Sequence, residues 1–221
     1  ALFVVPLFGL IVRAPWRDLP ELLGSEIVAD ALRLSLLSSL GATAISTVFG
    51  IPLAWLLARV EFPGKALARG LVLLPLVLPP VVGGAALLFA LGRRGVIGEP
   101  LNEFTGLVLP FSTWGVVIAA TFVAMPFLVL TVEGALRNLD KRFGGAAATL
   151  GAGRWTVLRR VTFPMIAPSL IAGLVLTWAR AFGEFGATIT FAGNLQGRTQ
   201  TLPLAVFVAL ETDRATAIAL S

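Results

Sequence analysis

Arg180 and Glu184 are the only charged side chains between Arg160 and Arg198, and they stand in a stretch that is otherwise apolar. An ionisable residue inside such a stretch is expensive in hydrocarbon and ordinarily faces a bundle interior or an aqueous cavity. Four residues apart on a helix, the two can meet on one face, although Arg before Glu is the weaker order. Two readings stand open. One is an ion pair that locks the helix to its neighbours. The other is a cation that attracts an anion near a pathway while the carboxylate restrains it.

Residue type excludes much other chemistry. The chain has no His and no Cys, so disulfides, thiol chemistry and ordinary zinc or haem ligation are ruled out, and no metal site is expected. Without His, and with few acids inside apolar stretches, no set of nucleophile, base and orienting group can be assembled. The phosphate-binding pattern Gly-x-x-x-x-Gly-Lys-[Ser/Thr] does not occur, because Gly64-Lys65 lacks its upstream glycine. The expectation is a chain that is not an enzyme and binds no cofactor. Energy for any transport enters from a partner or an ion gradient.

The elements that position these residues are membrane helices. Hydrophobic residues make up 57% and charged residues 13%, with a mean hydropathy of +0.92. A soluble domain carries about 25% charged residues. Charge-free windows at 34–58, 71–91 and 107–132 each reach the roughly 20 residues that span a bilayer. The pattern predicts an all-α polytopic membrane helical bundle, one domain over residues 1–221, with about six spans. The first, ending near Val12, and the last, beyond Asp213, read as truncated. The others are expected at 30–59, 66–92, 114–132 and from Ile166. Residues 202–210 read as a short interfacial or re-entrant piece. Span 66–92 carries Pro75, Pro79, Pro80, Gly83 and Gly84. Those prolines make either a static bend or a gate.

The net charge of +5 reads as topology rather than nucleic-acid binding, because the basic residues lie in short loops. Nine cations fall on the side holding Arg59, Lys65, Arg69, Arg137, Lys141, Arg142, Arg154, Arg159 and Arg160. Seven fall opposite, at Arg13, Arg17, Arg33, Arg93, Arg94, Arg198 and Arg214. The first side is therefore expected to be cytoplasmic.

On that side, residues 137–164 are too polar to cross and too well patterned for a slack loop. Phe143, Ala146, Ala147 and Leu150 fall at i, i+3, i+4 and i+7, which predicts a short helix with a small apolar face. Asp140 is its expected N-cap and Gly151 its left-handed C-terminal residue. Trp155, Leu158 and Val161, interleaved with Arg154, Arg159 and Arg160, predict a second short helix ended by Pro164. Such a pair either lies on the lipid interface or docks into a protein groove, and its slight, Ala-rich face favours docking.

Ala146-Ala147, then Gly151, then Phe163-Pro164 resembles the cytoplasmic loop of permease subunits of ATP-binding-cassette (ABC) importers. That pattern reads Glu-Ala-Ala, three residues, Gly, and later a hydrophobic–Pro pair. The family's Glu position falls on Gly145 here. Trp178-Ala-Arg180-Ala-Phe-Gly-Glu184-Phe-Gly-Ala-Thr188, Phe191-Ala-Gly-Asn194, Thr201-Leu-Pro-Leu204, Pro75-Leu-Val-Leu-Pro79-Pro80 and Phe62-Pro-Gly-Lys65 are similar to the molybdate and sulfate type of oxyanion permease, molybdate above all. The matches run from about residue 30 to residue 210.

The resemblance implies an oxyanion pathway through a multi-pass prokaryotic plasma (inner) membrane protein that works by alternating access. The implied partners are a second copy of the chain, two cytoplasmic ABC ATPase subunits, an extracytoplasmic oxyanion-binding protein and the lipid bilayer. ATP-Mg would sit on the ATPase and not on this chain. Ala146, Ala147, Gly151, Trp155 and Pro164 would couple to the ATPase. Arg180, Glu184, Pro79 and Pro80 are the candidate pathway or gate residues. The competing reading is an ion-gradient-driven carrier or channel with no ATPase. Against it, the chain lacks paired intramembrane acids suited to ion coupling.

Overall fold

Apolar segments in lipid must satisfy their own backbone hydrogen bonds, and a helix does so within one stretch of chain. The computed structural model describes residues 4–17, 19–20 and 24–220, and all regular structure among them is helical. The elements are α1 (Val4–Arg13), α2 (Glu26–Arg59), α3 (Lys65–Val77), α4 (Pro80–Leu91), α5 (Gly98–Thr105), α6 (Thr113–Asn138) and α7 (Lys141–Thr149). There follow α8 (Arg154–Phe182), α9 (Gly186–Phe191), α10 (Leu202–Thr212) and α11 (Arg214–Leu220). Among the described residues three helices, α2, α6 and α8, are long and apolar enough to cross a membrane, with 34, 26 and 29 residues. Helices α4 and α10 are apolar but shorter.

Two differences from the sequence expectation involve proline. The span expected at 66–92 is two helices, α3 and α4. Leu78 adopts an extended conformation (φ −70°, ψ 134°), as clash with the following proline ring demands. Pro80 then starts α4, where its missing N–H costs nothing. The doublet Pro79-Pro80 therefore breaks the helix instead of bending it.

Pro164 does the opposite of what was expected. It does not end the second short helix, which runs on to Phe182. Residues Leu158–Thr162 form a π-helical turn just before the proline. The Phe163 N–H reaches back to the Leu158 carbonyl, and this wider ladder absorbs the irregularity a proline imposes.

The helices group into two compact units. One comprises Ala1–Ser38, Pro80–Ala119 and Phe182–Ser221. In it α4 packs on α9, and glycine permits the approach. A Cβ on Gly84 would lie 2.7 Å from the Ala187 carbonyl oxygen, and one on Gly186 would lie 2.8 Å from the Pro80 ring. Val28 and Ala31 pack with Ala205, Ala209, Ala217 and Leu220 in a small apolar cluster. The Ser35 hydroxyl accepts the Leu202 N–H at 2.7 Å, satisfying an orphan donor at the start of α10.

The second unit comprises Ser39–Pro79 and Ala120–Ala181. Its core is Ala54, Leu57, Leu128, Val129, Val132, Leu136 and Ile166. Ala42, Ala120, Ala124 and Ala181 form a second cluster. Lipid is as apolar as leucine, so burial alone does not drive these helices together; small residues that let backbones approach do. Gly173 fits this role, with room for a Cβ only 3.2 Å from Leu128 and Thr131 side chains. The Trp178 indole N–H donates to the Ser39 hydroxyl at 3.1 Å.

The α4–α9 contact is checked by adding one methyl group. Gly84→Ala is expected to lower stability by about 1–3 kcal/mol through overpacking, read as a lower thermal unfolding midpoint in detergent. Gly70→Ala, at a position with nothing within 4 Å, is the control and should be neutral or slightly stabilising.

Candidate coupling segment and translocation residues

The first half of the segment between α6 and the long part of α8, through Gly151, follows the sequence expectation. The Asp140 carboxylate accepts the Arg142 N–H at 2.9 Å, which caps the start of α7. At the other end Gly151 takes φ +83°. The Ala152 N–H reaches back to the Ala147 carbonyl at 3.0 Å, the six-to-one bond that closes a helix ending in a left-handed glycine. Gly153 is extended and α8 starts at Arg154.

Helix α7 is poorly built to stand alone. It has nine residues, two of them the glycines Gly144 and Gly145. Each glycine costs about 1 kcal/mol of helix stability relative to alanine, and helices this short are marginal in water without packing. Meanwhile Leu150 is 88% exposed and Trp155 71% exposed. Phe143, Ala146 and Pro164 are exposed as well, and Ala147 is half-buried. The segment thus offers apolar surface and little of its own to cover it. No side chain requires glycine at 145, since nothing lies within 4 Å of where its Cβ would be.

Behind this segment lies a groove of about 670 Å³, lined by Trp55 and Arg59 of α2, Asp140 and Gly144, and Arg154 and Trp155. An adjoining apolar pocket of about 480 Å³ shares Trp55, Leu158 and Thr162 with it. The π-helical turn contributes to both walls.

The pathway candidates are placed differently from the expectation. Arg180 is half-buried in the last turn of α8. Glu184 lies beyond the helix end, in the break before α9, so the two charges do not share a continuous helix as their spacing implied. Glu184 is 2% exposed and one carboxylate oxygen accepts the Ala187 N–H at 2.8 Å. That contact caps α9, a structural duty that also favours a negative charge at the helix N-terminus. Pro80 sits close to Gly186 at the start of α9, whereas Pro79 lies in the break after α3.

Sequence reasoning passed over Glu133. It is 1% exposed, with Arg69 Nη2 at 3.2 Å and Arg137 Nε at 3.6 Å from the same carboxylate oxygen. The charge-free window ends at Val132, one residue before it. The available signal was Arg137 four residues on, in the favourable Glu-before-Arg order. Buried hydroxyls at Ser46, Thr188 and Thr201 carried no distinguishing pattern.

Comparison with known proteins places the chain. Residues 50–217 match the family model described as binding-protein-dependent transport system inner membrane component. A molybdenum transport system permease protein, ModB, of Mycobacterium tuberculosis is 46% identical over 217 residues, covering 98% of this chain and 82% of the relative. ModB of Escherichia coli K12 is 48% identical over 183 residues, covering 83% and 80%. The sulfate transport system permease protein CysT of Escherichia coli K12 is 35% identical over 213 residues, covering 95% and 76%.

Among solved structures, a bacterial ABC transporter that imports the acidic polysaccharide alginate superposes with a TM-score of 0.70 at 18% identity, covering 98% of this chain and 81% of the other. At that identity the likeness concerns the fold alone. The chain belongs to the family of binding-protein-dependent transport system inner membrane components, and the all-α membrane fold expected from its sequence is the one these transporters have.

The local geometry makes a paired prediction. Gly151→Ala forces a Cβ into φ +83° and is expected to cost about 1 kcal/mol or more at that turn. Gly145→Ala should instead stabilise α7 by up to about 1 kcal/mol. Hydrogen exchange over 141–152 should therefore speed up in the first variant and slow in the second.

Proposed function

We propose that this chain is the membrane-spanning permease subunit of an ABC importer for molybdate, with sulfate as the nearest competing anion. The observation that carries the reading is the exposed helix–turn–helix at 141–162, with its Gly151 turn and uncovered Leu150 and Trp155, in a chain whose relatives are named as molybdenum permeases. The chain acts as transport subunit, and a separate ATPase chain binds and hydrolyses ATP-Mg.

The assembly is a homodimer of this subunit in the lipid bilayer, two cytoplasmic ATPases docked on the coupling segments, and an extracytoplasmic oxyanion-binding protein. An alginate transporter of the same fold has been crystallised in complex with a substrate-bound periplasmic protein, which supports the last of these. ATP binding draws the coupling segments together and biases the subunits between inward- and outward-open arrangements, a ligand-driven shift between two states. Arg180 supplies positive charge to the pathway. Glu184 holds α9 in place near it along the chain. The break at Pro79-Pro80 supplies a joint.

Reconstitution with the ATPase and binding protein in vesicles tests the reading. Vanadate-sensitive molybdate uptake is expected, and uptake that ignores vanadate and follows an ion gradient would sink it. Arg180→Gln should lower molybdate uptake about tenfold, the scale of one lost charge-assisted contact. Unchanged uptake would remove Arg180 from the pathway. Gly151→Trp should abolish ATPase copurification or separate ATP hydrolysis from uptake, and normal coupling in that variant would count against docking at this segment.

A further inference from the structure

We infer that Glu133 is a positioning residue that ties the coupling segment to α3, so that displacement of α7 by the ATPase moves α3 with it. The inference rests on the permease function proposed above. Glu133 lies in the last turns of α6, one turn before Arg137 and close in sequence to the start of α7 at Lys141. Across the helix interface its partner is Arg69, in the first turns of α3.

The carboxylate is enclosed. Val132 and Leu136 beside it belong to the apolar core, and Ala68 and Val72 of α3 pack against that core. Neither Glu133 oxygen has a hydrogen-bond partner among the described residues. What compensates its charge is the pair of guanidinium groups at 3.2 and 3.6 Å. Arg137 is on the same helix and travels with Glu133. Arg69 is the contact that spans two elements. Separating α3 from α6 therefore leaves a buried carboxylate with half its compensation, and uncompensated buried charge is the costly condition. The two helices resist parting where the coupling segment leaves α6. From Arg69 the chain runs along α3 to the extended Leu78 and the Pro79-Pro80 break, so a push at α7 is delivered to that joint.

Both Arg partners are partly exposed, 39% for Arg69 and 44% for Arg137, and Arg137 remains beside Glu133 when Arg69 is replaced, so an Arg69 variant is expected to fold with reduced stability. The decisive quantity is molybdate imported per ATP hydrolysed by the full reconstituted complex, because a variant that merely folds less well lowers both rates in proportion. Glu133→Gln and Arg69→Gln are each expected to lower that ratio about tenfold, the scale of a typical allosteric coupling. Arg69→Lys, which keeps the charge, should restore most of it. The double variant should be no worse than either single one, as expected when one contact is removed twice.

A wild-type ratio in both Gln variants overturns the inference. So does a parallel fall of uptake and ATP hydrolysis, or additive losses in the double variant. If Glu133→Gln does not assemble, the contrast between Arg69→Gln and Arg69→Lys decides alone. A wild-type complex without ATP-dependent molybdate uptake would instead overturn the proposed function, and this inference with it.

Discussion

Hydrocarbon neither donates nor accepts hydrogen bonds, so every backbone group in a membrane helix needs a partner within the protein. Proline removes a donor, and among the described residues prolines lie inside α2, α3, α6 and α8, at Pro52, Pro75, Pro126, Pro164 and Pro168. Where a single proline interrupts a long helix, the helix continues. Two solutions appear at the more disruptive places. At Pro79-Pro80 the helix stops and a new one starts, with Leu78 extended as its neighbour requires. At Pro164 the ladder widens to a π-turn and goes on. A joint and a continuous rod thus arise from the same residue type, according to whether one or two donors are lost in succession.

The continuous rod matters for the coupling segment. Because α8 passes unbroken from Arg154 to Phe182, the second candidate coupling helix is the end of a long apolar helix and not a separate piece. Force on Trp155 is force on that helix. Helix α7 is the opposite kind of element: short, glycine-bearing, and closed by a single left-handed residue. Nine residues with two glycines are marginal alone, so anything packed over α7 would add to its stability.

Charge inside the protein is used sparingly and at seams. Glu184 caps the short helix that meets α4, while Glu133 faces a cation across the α3–α6 interface. Neither carboxylate belongs to a reacting group. Each is placed where an element ends or meets another, and each would be expensive to leave without its partner. Electrostatics here fix the register of neighbouring elements, and small residues such as Gly84 and Gly173 set how closely helices approach.

By itself the sequence determined the all-α membrane class, the helix and turn at 141–154 with its Asp140 cap and Gly151 turn, and, through resemblance, the family. The class and the 141–154 segment follow from hydropathy, 3.6-residue periodicity and local backbone preference, all of which act over a few residues and are written in order along the chain, whereas the family rests on resemblance. It misjudged Pro164 because a proline can end a helix or be absorbed by a wider turn, and the residue type alone does not say which. It placed Arg180 and Glu184 on one helix because spacing carries no sign of where a span stops. It passed over Glu133 because the partner that matters, Arg69, lies 64 positions away along the chain. Which charges meet, and which helix ends face each other, depends on contacts between distant segments, and only the tertiary structure decides those.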